Sequence, residues 1–179
     1  FGILTAQLVN QKFFGRTFMR SVLLFPYVGP VVALAYTWEL LLDPYSGTLN
    51  NLLMNFQVIQ EPLNLLGQKY LTINFFGFDL KLRLALTTVI IFEIWRYFPL
   101  AFLFILARLQ AVPKELYEAA EVDGAGPFQK FINITLPQIT AVISILFMIR
   151  FIWNFNKFED IFLLTGGASG TRTLPINVY

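Results

Sequence analysis

Six polar or charged residues lie in stretches otherwise apolar enough to cross a bilayer. Glu93, Arg96 and Tyr97, with Leu100, are spaced i, i+3, i+4 and i+7, and Arg150, Asn154 and Lys157 are spaced i, i+4 and i+7. On an α-helix each set shares one face. A charge at the bilayer centre costs at least about 2.5–3.5 kcal/mol, so such faces turn toward a bundle interior or a wet cavity. Two readings fit. The faces can wall a solute path, where phenol, amide, ammonium and guanidinium groups hydrogen-bond a polar solute. Alternatively they form an ion-pair cluster that holds helices together, Glu93 with Arg96 or Arg150 for example. Catalysis fits neither. The chain has no Cys and no His, which removes disulfides, thiol nucleophiles, Ser–His and Cys–His pairs and most zinc and haem sites. We assign no catalytic and no metal-ligating residues.

The elements that carry these faces follow from composition. Hydrophobic residues make up 56% of the 179, charged residues 13%, and mean hydropathy is +0.63. A soluble domain carries about 25% charged residues, so a lipid-facing surface is the simpler account. The net charge of +2 is too small to point to nucleic acid. Three stretches reach the ~20 residues needed to span: about 21–42, 84–107 and 139–164. Residues 1–10 read as the last turns of a further membrane helix. They are apolar before they are basic, the reverse of a secretory signal, and the chain reads as part of something longer. Asp43-Pro-Tyr-Ser-Gly47 is a turn signal, residues 49–56 suit a short amphipathic surface helix, and residues 70–78 can be extended or interfacial. Glu39, Glu159 and Asp160 sit near predicted span ends and read as solvated; Trp38, Tyr45 and Trp153 read as interfacial anchors or packing groups. Lys12, Arg16 and Arg20, with no acid among them, place residues 11–20 in the cytoplasm. Residues 43–83 then lie outside, although Lys69, Lys81 and Arg83 fall there, and residues 108–137 lie inside.

The inner connector reads Val112-Pro-Lys-Glu-Leu-Tyr-Glu-Ala-Ala-Glu-Val-Asp-Gly-Ala-Gly-Pro-Phe-Gln-Lys-Phe-Ile-Asn-Ile-Thr-Leu-Pro137. Its pattern is a helix–turn–helix. Pro113 starts an apolar stripe of Leu116, Ala119 and Ala120, Gly124-Ala-Gly126 allows a reversal, Pro127 starts a second helix, and Pro137 marks entry to the next span. From these residues alone, a plain amphipathic loop fits as well.

Glu118, Ala119, Ala120, Asp123, Gly124, Ile134, Leu136 and Pro137 resemble the signature loop of binding-protein-dependent ABC importer permeases, and the version here is similar to the carbohydrate, maltose-type branch. The resemblance extends through Leu24-Phe-Pro-Tyr-Val-Gly-Pro30, Trp95-Arg-Tyr-Phe-Pro99, Asn154-Phe-Asn156 and Leu164-Thr-Gly-Gly167. It implies an all-α, polytopic helical membrane protein with a type I ABC importer permease core, here a partial transmembrane domain over 1–179 with a cytoplasmic coupling loop at 108–137. The implied location is a bacterial or archaeal cytoplasmic (inner) membrane. Implied partners are a second permease subunit, two cytoplasmic ATPase subunits, an extracytoplasmic solute-binding protein and the lipid bilayer, with no nucleic acid. ATP and Mg would be bound by the ATPases. This chain carries no Gly-x-x-x-x-Gly-Lys-Ser/Thr loop, since Gly166-Gly-Ala-Ser-Gly170 lacks the lysine. The resemblance places solute between the two polar faces, and the expected solute is a sugar or oligosaccharide. A polyol phosphate would suit Arg96, Arg150 and Lys157, and an ion-coupled secondary transporter using Glu93 is the reading from another class.

Overall fold

The apolar runs fold as helices, though not with the boundaries their composition suggests. In a computed structural model that describes residues 1–11, 13–75 and 78–179, two helical stretches are long and apolar enough to cross a membrane. They are α5 (Leu84–Gln110) and the run Pro127–Phe155. The expected span over 21–42 is instead broken at Gly29-Pro30 into α2 (Arg16–Val28) and α3 (Val31–Leu42), and counts as a third crossing only if the pair is taken as one span. Pro30 lacks an N–H and disfavours helix at the residue before it. Pro26 and Pro99, by contrast, stay inside α2 and α5.

The expected span at 139–164 is also redrawn. The helix starts twelve residues earlier, with α7 (Pro127–Lys130), passes through a π-helical turn (Phe131–Thr135) and continues as α8 (Leu136–Phe155). Pro137 therefore does not open the span. The wide turn just before it is where the proline's missing N–H and ring clash would fall, and π-turns absorb such defects. After Phe155 the chain leaves the helix and re-enters one at α9 (Glu159–Thr165), whose first turn holds Glu159 and Asp160. Acids there complement the helix dipole.

Contacts divide the described chain into two compact units, residues 1–28 with 96–153 and residues 29–95 with 154–179. The first has a core of Ala6 and Val9 from α1 (Gly2–Asn10), Phe102, Ile105, Leu106 and Leu109 from α5, and Ile139 and Leu146 from α8. Gly2 allows the closest approach, because a Cβ there would stand 2.8 Å from Ala101 Cβ. Arg108 ties α5 to α8, its Nε donating to the Gln138 carbonyl at 3.0 Å and its Nη2 to the Gln138 side-chain oxygen.

The second unit packs Leu34 and Ala35 of α3 with Val89 and Phe92 of α5, Ile161 and Leu164 of α9, and Ile176 of α10 (Leu174–Val178). Trp38 stands edge-on to Phe92 at 5.3 Å and against Trp95 at 5.5 Å, so it is a packing residue; Tyr45 is exposed. The short surface helix forms as α4 (Thr48–Asn55). It is held by Asn50, fully buried, which donates to the carbonyls of Leu63 (2.9 Å) and Asp43 (3.2 Å) and accepts the Leu63 N–H (3.0 Å). The Asp43 carboxylate accepts from the backbone N–H groups of Ser46 and Tyr45 and from the Ser46 hydroxyl, and these bonds hold it below the usual carboxylate range. The segment whose conformation the residues left open is an antiparallel hairpin, β1 (Leu71–Phe75) and β2 (Phe78–Leu82), with Leu71 opposite Leu82. It is the one strand pair among the described residues of a mostly helical chain. Lys12, part of the basic run, and Phe76 lie outside the described residues.

Candidate functional site

Each unit contains part of the two polar faces. In the first unit, Tyr97 is the centre. The Arg150 guanidinium carbon lies 3.9 Å from its ring centroid, that of Arg96 lies 5.5 Å away, and the Tyr27 ring meets it edge-on at 6.3 Å. α5 supplies Arg96 and Tyr97, and α8 supplies Arg150. A guanidinium over an aromatic face is attracted by the ring quadrupole, by about 0.5–2 kcal/mol depending on desolvation. Leu100, the last position of the face, packs half-buried on the core of this unit. A phenol beside two guanidinium groups offers donors to a polyhydroxyl or anionic solute.

In the second unit, Lys157 is the centre. Its ammonium lies 3.0 Å from a Glu93 carboxylate oxygen and also pairs with Asp160. The side chains of Lys157, Glu93 and Asp160 are 11%, 18% and 4% exposed, so the cluster is largely out of water. Lys157 does not share a helical face with Arg150, because α8 ends at Phe155 and the lysine reaches Glu93 from the α8–α9 connector. The Thr173 hydroxyl donates to the Lys157 carbonyl at 3.2 Å and binds this connector to the chain entering α10. Asn154 is exposed, and its carbonyl accepts the Lys157 N–H at 3.4 Å. Asp160 was expected to be solvated and is instead buried; Glu39 and Glu159 are exposed. The signal for Asp160 was its place three residues after Lys157, a spacing that makes the two side chains neighbours on a helix. Tyr27 was not expected at the site, although it lies in the Leu24–Pro30 stretch that carries the family resemblance.

The inner connector has a different character. α6 (Lys114–Val122) contains no buried residue. Glu118, Ala119, Asp123, Leu136 and Pro137 are exposed, and Ala120 and Ile134 are half-buried. Leu116, Val122 and Phe128 are 43%, 88% and 73% exposed, an apolar surface poorly suited to stand in water. Gly124 carries the reversal at φ +77°, in the left-handed region where a side chain is unfavourable. The hairpin of helices is stapled by the Lys130–Glu121 ion pair at 2.6 Å and by a hydroxyl contact between Tyr117 and Thr135 at 3.0 Å. The Gln129 side chain accepts the Gly126 N–H at 2.9 Å, which satisfies an otherwise orphaned donor at the start of α7.

The family model described as "Binding-protein-dependent transport system inner membrane component" matches residues 1–178. The inner membrane ABC transporter permease protein YcjO of Escherichia coli is 37% identical over 164 residues, 92% of this chain and 52% of YcjO. The trehalose/maltose transport system permease protein MalF of Thermococcus litoralis is 33% identical over 177 residues, 99% of this chain and 55% of MalF. The crystal structure of a bacterial ABC transporter involved in the import of the acidic polysaccharide alginate superposes with a TM-score of 0.72 at 22% identity, over 99% of this chain and 59% of that one. The chain thus spans about half the length of the curated relatives it matches.

Proposed function

This chain belongs to the binding-protein-dependent transport system inner membrane component family, the permease part of ABC importers, and from that premise we propose that it forms half of a solute path for a sugar or oligosaccharide. A second permease subunit supplies the other half, two cytoplasmic ATPases bind ATP and Mg, and an extracytoplasmic binding protein delivers the solute. The α6–α7 reversal docks on one ATPase through Glu118–Ala120, with Asp123, Gly124, Ile134, Leu136 and Pro137 setting its shape. The observation that carries the coupling role is a nine-residue helix with no buried residue, presenting apolar groups at the end of two membrane-length helices. ATPase closure pulls on that helix, and α8, continuous with α7 through the π-helical turn, transmits the displacement into the bilayer.

For the solute, the supporting features are the trehalose/maltose name of a relative 33% identical across nearly the whole chain and the Tyr97 ring with its guanidinium neighbours. Sugars offer hydroxyls to such donors and an apolar face to a ring. The same two arginines favour a second reading, a polyol phosphate or other anionic solute. Ion coupling through Glu93 has less support, because that carboxylate already holds Lys157.

The test is uptake by the full-length permease reconstituted with its ATPases, second permease and binding protein. Neutral oligosaccharide, acidic sugar and glycerol phosphate are offered in parallel. Uptake of neutral sugar that requires ATP and binding protein is the expected result. Tyr97→Leu should weaken apparent affinity several-fold at normal complex yield, as loss of a hydrogen bond of about 0.5–1.5 kcal/mol predicts. Preference for the phosphate ester would select the second reading. Uptake driven by an ion gradient without ATP would overturn both.

A further inference from the structure

We propose that a basic pocket in the first unit seats the phosphate of an anionic phospholipid at the membrane boundary, against the first turn of α6. The pocket, about 380 Å³, is lined among others by Asn10, Arg16, Arg20, Gln110, Lys114 and Tyr117. Its walls are helix ends: the last residue of α1, the first of α2, the last of α5 and the first of α6. α5 has 27 residues, about 40 Å at ~1.5 Å per residue. That exceeds a hydrocarbon core of ~30 Å, so Gln110 stands at headgroup depth.

Three cations and no carboxylate line the described pocket. Helix-end carbonyls account for part of this: an Arg20 terminal nitrogen donates to the Val9 carbonyl at 3.3 Å. The remainder is unspent. Arg20 Nε is buried without a hydrogen-bond partner, and Arg16 and Lys114 make no ion pair among the described residues. A phosphate diester, acceptor-only and singly negative, satisfies such a set, and basic pockets between membrane helices recognise anionic headgroups. A lipid rather than a free anion is indicated by depth and by neighbours. Phe13, Phe14, Phe18 and Met19, which bracket Arg16, are all exposed and give acyl chains an apolar landing. A headgroup held by Lys114 and beside Tyr117 would brace the helix to which the coupling role is assigned; the lipid site itself does not depend on the identity of the solute.

The experiment uses the assembled transporter in nanodiscs of phosphatidylcholine with increasing phosphatidylglycerol. Phosphatidylglycerol retained per complex is read by native mass spectrometry after exchange into detergent. Each Lys or Arg at the surface contributes about fivefold in affinity. Arg16→Gln with Lys114→Gln should therefore release one bound lipid with a loss of about 25-fold, at normal ATPase content. If the double variant assembles poorly, Lys114→Gln alone, at an exposed helix start, carries the test with about a fivefold loss. Equal retention in wild type and variant overturns the proposal. Displacement of the lipid by millimolar inorganic phosphate would make the pocket a free-anion site instead. Loss of the ATPase with lipid retained would make it a seat for a carboxylate of the partner.

Discussion

Replacing Lys157 with Met tests how the second unit is held. The substitution keeps most of the side-chain volume and removes an ammonium that Glu93 and Asp160 share. Both carboxylates are mostly withdrawn from water, at 18% and 4% side-chain exposure, and the lysine is 11% exposed. Breaking a buried pair by deleting one partner typically costs about 3–5 kcal/mol, and here two acids lose their shared counter-ion. The folded-to-unfolded ratio should fall on the order of a hundredfold to a few thousandfold. The assay is yield of assembled complex and its apparent melting temperature, with chymotrypsin accessibility at Phe158 of the α8–α9 connector, a site the variant keeps, as a local readout. Glu93→Gln with Asp160→Asn, added to Lys157→Met, should restore much of the loss, since neutral amides are cheaper to bury than ions. Wild-type yield and melting temperature in Lys157→Met would refute the reasoning. So would a loss that the neutral double replacement leaves untouched.

Other expectations are more local. Gly124→Leu should cost about 1–2 kcal/mol of backbone strain at φ +77° rather than a clash, since a Cβ there meets nothing within 4 Å. It should lower solute-stimulated ATPase activity, while Gly124→Asn, tolerant of this conformation, should retain more of it. Asn50→Ala removes three hydrogen bonds from a fully buried site, each worth about 0.5–1.5 kcal/mol net; faster amide exchange at Leu63 would show the release. In the chain's Cys-free background, a Cys at Ser46 or Ser169 should react with an impermeant thiol reagent on spheroplasts, and one at Gln129 only after permeabilisation. The opposite pattern would reverse the assigned orientation.

What could be read from residues alone was whatever depends on near neighbours in the chain. Apolar run length announced the membrane helices, the 49–56 pattern announced α4, and Gly124 between two short amphipathic stretches announced the reversal, because each is decided within a few residues. The permease family was legible for a related reason: its loop motif is contiguous. Helix ends were less so. A proline can break a helix, be carried within it or be accommodated by a wider turn, and the chain contains all three outcomes: a break at Pro30, continuation through Pro99, and a π-helical turn before Pro137. Which one occurs depends on what packing supports the freed carbonyls, and that is not written locally. The partner of Glu93 was beyond reach as well. Lys157 stands 64 residues away in the chain and meets the carboxylate only because α8 stops at Phe155 and lets the connector turn back. Helical spacing put Lys157 on a face with Arg150, whereas tertiary structure gave it to Glu93 and Asp160. Periodicity specifies direction along one helix; only the folded chain specifies which charges share a space poor in water, where a wrong pairing is too costly to persist.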